Sequence, residues 1–210
     1  MKCSKVTRKF GLLLMLAMCS MLAWAGPSPL DTVQNTANQA LAALKSNQAS
    51  LKTNPKVVYS IINRILLPHV DITGMARSAL GRDAWMKATA TQRNQFTQEF
   101  TTLLVRTYSS ALASYTDQQV KFLPPREDFS GQTRAQIDSL ILQPNGPSIQ
   151  VNYRLILEGQ QWKVYDFSVD GVSLLESFRS QFASELSQGN LDALIQRLSQ
   201  HNTQLNTNQS

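Results

Sequence analysis

Hydrophobic and polar positions along the chain repeat with two periods, and their order predicts a helical first half, a stranded centre and a helical end. Leu30, Val33, Ala37, Ala40, Leu41 and Leu44 recur at spacings of three and four, which places them on one stripe of an amphipathic helix. Asn54-Pro55 opens a second helix, with Asn54 as cap and Pro55 tolerated in the first turn. Its apolar face is Val57, Val58, Ile61, Ile62, Ile65 and Leu66, and Pro68 stops it. Asp71 can cap a short helix carrying Ile72, Met75 and Leu80, which Gly81 ends. Thr89-Ala90-Thr91-Gln92 fits a capping box, and the helix it opens is the longest of the chain. Phe96, Phe100, Leu103, Leu104, Tyr108, Ala111, Leu112 and Tyr115 give that helix one continuous stripe, enough to cover a sheet face.

Between residues 117 and 169 the period falls to two. Strands are predicted at Val120 to Leu123, Thr133 to Leu142, Ser148 to Leu157 and Gln161 to Val169. Pro144-Asn145-Gly146-Pro147 and Glu158-Gly159-Gln160 supply residues that tolerate positive φ, so the last three strands form an antiparallel meander. Ile149, Val151, Tyr153, Leu155 and Leu157 share one face of the third. The register of the last hairpin stays open: one turn length turns Trp162 and Val164 to the apolar face, the other Tyr165, Phe167 and Val169. After Asp170-Gly171 the period returns to 3.6, with Val172, Leu175, Phe178, Arg179, Phe182 and Leu186 on one stripe, so the strand passes straight into a helix. Gly189 closes it, and Asn190 caps a last helix bearing Leu191, Leu194, Ile195 and Leu198. Asn, Gln, Ser and Thr dominate residues 201–210, which reads as a disordered tail.

Two blocks of this pattern carry a resemblance. Trp162, Lys163, Val164 and Asp166, then Gly171, Val172, Ser173 and Leu174, then Arg179 and Phe182, resemble the signature of the MlaC-type phospholipid-binding proteins. Thr89, Gln92, Arg93 and Phe96, followed by Leu104 and Tyr108, resemble a second family block, in which Ala90 and Thr91 replace the usual Pro and Glu. The resemblance runs from about Pro68 to Leu198. It implies an α+β fold in which a mostly antiparallel twisted sheet of about four strands is wrapped by helices, with a hydrophobic lipid cavity between. It also implies a carrier, not an enzyme, whose cargo is glycerophospholipid and which needs no cofactor. The implied partners are an outer-membrane MlaA-type lipoprotein with its porin and an inner-membrane MlaFEDB-type ABC transporter complex. If the helix from Ala90 and the helix from Val172 close over the sheet as a sleeve, the candidates for the cavity wall are Phe96, Phe100, Leu104, Tyr153, Leu155, Val169, Val172 and Leu174.

Composition changes meaning once the start of the chain is set aside. Lys2, Lys5, Arg8 and Lys9 precede an apolar run from Phe10 to Leu22, and Ala23-Trp24-Ala25 is a small-x-small site, so residues 1–25 read as a secretory signal peptide. That apolar run is shorter than a membrane span needs. Met18 is too large for the position before Cys19 in a lipoprotein box. A mature chain of residues 26–200 plus the tail is therefore expected to be exported as one domain, and the resemblance implies the periplasm as its location. Removing those four basic residues from 20 leaves 16 against 14 acidic ones, so the net charge falls from +6 to +2. Lys and Arg then lie scattered, which argues against nucleic acid. Cys3 and Cys19 are removed too, leaving no thiol or thiolate ligand.

Catalytic chemistry finds few reactive groups. His69 lies two residues from Asp71 with no second histidine or cysteine near it in sequence, which fits a loop beside a helix cap better than a metal site; His201 falls in the tail. No serine lies in Gly-x-Ser-x-Gly and no glycine-rich phosphate cradle occurs. Asp166 and Asp170 keep two readings. A strand carboxylate facing an apolar cavity could act as a base, which leaves open a cavity enzyme acting on an apolar small molecule with Asp166 or Tyr165 as acid or base. Alternatively Asp166 accepts hydrogen bonds or pairs with an arginine such as Arg179 or Arg106, and Asp170 caps the following helix. An envelope interaction module with a filled core is the third reading, since periodicity cannot tell a core from a lined cavity.

Overall fold

A computed structural model of the protein describes residues 28–144 and 146–207, with side chains as far as residue 204. The expected signal peptide, residues 1–25, lies outside the described residues. Helices α1 (Pro29–Ser46), α2 (Gln48–Leu51), α3 (Pro55–Ile61), α4 (Ile72–Leu80), α5 (Arg82–Lys87) and α6 (Ala90–Ala113) come first. Strands β1 (Gln119–Phe122), β2 (Arg134–Leu142), β3 (Ile149–Glu158), β4 (Gln161–Val169) and β5 (Val172–Ser173) follow, and α7 (Leu174–Ser187) and α8 (Leu191–Thr207) close the chain. The strands pair antiparallel in sequence order as one open sheet. The expected sheet is thus present with one strand more than predicted, because β5 is too short to show a period and its Val172 counted towards the helix.

Local chemistry accounts for most boundaries. The Thr89 hydroxyl accepts the Gln92 amide at 3.2 Å while the Gln92 side chain accepts the Thr89 amide at 2.9 Å, a complete capping box at the start of α6. Asp71 caps α4 by accepting the Gly74 amide at 2.7 Å. Pro68 cannot donate to the helical ladder, and the chain leaves α3 through a π-helical turn (Ile62–Leu66) and a 3-10 turn (Leu67–His69). Val70 then pairs in parallel with Val164, and the Asp71 amide donates to the Val164 carbonyl at 2.9 Å, which fastens the helical half to β4.

The last hairpin takes the two-residue turn, and a bulge then brings in Phe167 and Val169, but not Tyr165, from the alternative face. Glu158 pairs with Gln161 across a two-residue turn, so Trp162 and Val164 share the face of Leu157 and Leu155. A bulge at Tyr165 then shifts the pairing, and Phe167 and Val169 stand opposite Tyr153 and Val151 on that same face. Tyr165 turns outward, where Arg134 sits over its ring at 5.3 Å.

Apolar side chains gather in three groups, of which the first and third reach the sheet. Phe96 and Phe100 of α6 meet Phe178 and Phe182 of α7 in one aromatic cluster, joined by α4 and α8. Leu44, Leu51, Val58 and Ile61 pack with Tyr115 in a second. Val33 of α1 closes a third over Ala135, Ile137, Leu155 and Trp162 of the sheet. The polar tail expected from 201 onward is instead helical to Thr207. Asn202 is buried there and donates to the Glu99 carbonyl at 3.0 Å and to its carboxylate at 2.6 Å, a long-range partner that composition cannot reveal.

Candidate functional site

Where β4 gives way to α7, the sheet and the helices part. Asp170 and Gly171 take positive φ angles of 48° and 83°, which folds the chain into a tight two-residue turn and pairs Val172 with Val169. Those two valines are among the few large hydrophobic side chains left exposed among the described residues, at 65% and 38% of their surface. They form the lip of a groove of about 330 Å³ whose walls are Phe167 from β4, Tyr108 from α6, and Leu174, Ser177, Phe178 and Gln181 from α7. Tyr108 and Phe167 meet edge to face at 5.4 Å across its floor. Burial raises the Tyr108 phenol above its ordinary 10.0.

The α7 wall is anchored from beneath. Ser173 caps the helix by accepting the Glu176 amide at 3.1 Å, and its own hydroxyl donates to Asp166 at 2.8 Å. The second Asp166 oxygen accepts the Leu175 amide at 3.1 Å. Arg154, directly across from Asp166 on β3, completes the set at 3.5 Å. The arginine is therefore neither Arg179 nor Arg106. Asp170, expected as the cap, instead accepts the Gln150 amide at 3.0 Å.

The eight wall candidates separate by position. Val169, Val172 and Leu174 line the groove. Phe96, Phe100 and Leu104 lie buried behind it in the aromatic cluster, while Leu155 and the partly buried Tyr153 belong to the group beneath α1. Tyr108, Phe167 and Phe178 carried apolar periodicity in the sequence and were readable as wall residues. Ser177 and Gln181 were not, because polar residues on a helix ordinarily read as its solvent face. Neither Asp166 nor Tyr165 lines the groove.

Two larger cavities flank α6, of about 420 and 520 Å³. The first is lined by Lys52, Thr53, Ser109, Ser110 and Ser114 beside a few apolar groups, the second by Thr97, Gln98, Thr101, Thr102 and Arg106 together with Tyr59, Asn63 and Val105. Neither is lined by residues of the two sequence blocks. No group of three or more His, Cys, Asp or Glu side chains suited to a metal occurs among the described residues. No helix among them is long and apolar enough to cross a membrane.

Residues 34–200 match the family described as MlaC protein. The chain belongs to the MlaC family. Within it, 182 residues are 35% identical to the toluene tolerance protein ttg2D of Pseudomonas putida, covering 87% of this chain and 84% of that one. Over 186 residues the chain is 28% identical to the intermembrane phospholipid transport system binding protein MlaC of Haemophilus influenzae, covering 87% and 86%. A phospholipid-binding protein from Ralstonia solanacearum, solved in complex with a phospholipid, shares the fold with a TM-score of 0.79 and 30% identity over 85% of this chain and 99% of that one. Asp166, Ser173 and Leu174 of the MlaC-like block meet at the start of α7, where Asp166 accepts from the Ser173 hydroxyl and the Leu175 amide.

Proposed function

We propose that this MlaC-family chain binds glycerophospholipid and carries it through the periplasm between the inner and outer membranes. The observation that carries this reading is the apolar groove at the sheet-to-helix junction, in a fold whose Ralstonia relative was solved with a phospholipid. A diacyl lipid left in water exposes about thirty CH₂ groups at about 0.8 kcal/mol each, a barrier of about 24 kcal/mol that an apolar sleeve removes. Phospholipid is the cargo, and no further cofactor is needed. Carriage of this kind returns phospholipid to the inner membrane side or supplies it outward, and it supports outer-membrane lipid asymmetry. Exchange takes place with an MlaA-type lipoprotein and porin at one membrane and an MlaFEDB-type ABC transporter complex at the other.

A groove of 330 Å³ lies at the small end of sites that enclose a drug-sized molecule, and a diacyl lipid is larger. Leu174 and Phe178 belong both to the groove and to the aromatic cluster, so outward displacement of α7 would extend the groove into that cluster. Phe96, Phe100 and Leu104 then become wall residues of the loaded sleeve. Catalysis on an apolar substrate is the weaker reading, because Asp166 is turned to Ser173, Leu175 and Arg154 and Tyr165 to Arg134.

Native mass spectrometry of freshly purified mature protein, followed by solvent extraction, tests the reading. Phospholipid-sized adducts that move to labelled acceptor vesicles support it. Protein that stays free of lipid after incubation with donor vesicles refutes it.

A further inference from the structure

Asp166 is 1% exposed and lies away from the groove, yet two of its three contacts are with the start of α7, the helix that walls the groove. One oxygen takes the Ser173 hydroxyl and the other the Leu175 amide, so one carboxylate ties both the cap and the first turn of α7 to β4, beside the short β4–β5 pairing. Placing that charge at a helix N-terminus is favourable, since the unpaired amides and the helix dipole both point at it. Arg154 offsets the buried charge from β3 while keeping 47% of its side chain in solvent. Downstream of this anchor, the same helix presents Leu174, Ser177, Phe178 and Gln181 to the groove. Upstream of it, the sharp turn at Asp170-Gly171 and the two-residue β5 allow movement of the lip without loss of a long ladder.

We infer that Asp166 is the positioning residue of the α7 wall: it fixes the start of α7 to β4, so that the groove widens by rotation of the helix about this point. The inference rests on the carrier reading for its meaning but not for its test. The sequence Trp162-Lys163-Val164-Tyr165-Asp166 places the anchor one residue beyond the bulge, and the shift at Tyr165 is what turns Asp166 towards the α7 turn while Phe167 faces the groove. Loss of the anchor frees the first turn of α7 and leaves the groove wall unfixed, without removing any apolar side chain from the core.

Hydrogen exchange followed by mass spectrometry on the full mature chain tests this, with Asp166→Asn, Ser173→Ala and Ser173→Thr. In Asp166→Asn the amides of residues 174–182 should exchange at least tenfold faster while those of α6 and α8 stay within twofold of the parent. Ser173→Ala should give a smaller loss confined to the same stretch, and Ser173→Thr, which keeps the hydroxyl, should restore protection. Unchanged protection of 174–182 in a folded Asp166→Asn protein overturns the inference. If that variant does not fold, Ser173→Ala decides: local loss with threonine rescue supports the anchor, and uniform loss across α6, α7 and α8 overturns it. On lipid-loaded protein the same variants should release cargo to acceptor vesicles at least threefold faster. A parent protein that carries no phospholipid refutes the carrier reading alone, because the exchange measurement needs no lipid.

Discussion

Val172→Asp separates a lipid wall from an ordinary core. Val172 keeps 65% of its surface in solvent, so about a third of its side chain is buried, and losing that third costs about 0.5 kcal/mol. Replacing a β-branched residue in a strand adds about 1 kcal/mol at most. For a domain of this size the two together lower Tm by about 3–6 °C, a shift that leaves the protein folded at working temperature. Lipid binding answers to a different scale. A polar group pressed against apolar matter without a partner costs about 2–7 kcal/mol, and a charge costs more, so even about 3 kcal/mol weakens binding more than a hundredfold. Circular dichroism and phosphorus content on one preparation give both numbers. Native helicity with phospholipid reduced to background is the expected result. Full phospholipid content in a folded Val172→Asp protein refutes the placement of the lip, and an unfolded variant refutes the estimate of its burial.

Phe100→Ala should behave in the opposite way: the ring is 0% exposed and touches Phe96, Phe178 and Phe182, so urea denaturation should show a loss of about 3–5 kcal/mol. Gly74→Ala would bring a methyl group into the Asp71 carboxylate that caps α4, and displacing that cap should cost about 1 kcal/mol by the same measurement. Burial raises the Tyr153 phenol above its ordinary 10.0, so the folded state holds its proton more tightly than the unfolded state. The stability that follows is fully present below about pH 10 and is lost as pH rises through the raised value. Tyr153→Phe should therefore flatten the fall of stability above pH 10 and change little near neutrality, which denaturation at a series of pH values will reveal.

Much of this fold can be read from side-chain period, and the parts that cannot share one cause. Strands β2, β3 and β4 and the capping box at Thr89 are local patterns, and they lie where period and cap chemistry place them. Partners chosen by register are different. Asp166 finds Arg154 only because the two stand opposite each other, and opposition depends on a bulge that no local signal in Val164-Tyr165-Asp166 announces. The same limit applies to Asn202, whose partner Glu99 lies 103 residues away. Of the groove, Val169, Val172 and Leu174 were legible as apolar residues at a change of period, while Ser177 and Gln181 carry no mark that distinguishes a groove rim from open surface.

Residue 165 also sets a reading frame for β4. Ahead of it, odd and even positions have one meaning; behind it, the meaning is exchanged, so Trp162 and Phe167 look the same way although one is even and the other odd. An uninterrupted strand of the same sequence would send Phe167 and Val169 to water and bring Asp166 and Ser168 to the inner face, giving a polar wall from unchanged composition. Drift in the length of this strand is therefore unevenly punished. Deleting one residue at 165 restores plain alternation and keeps the apolar wall, whereas inserting a residue between Asp166 and Phe167 reverses it. Lineages that carry lipid in this groove should tolerate the first change and not the second.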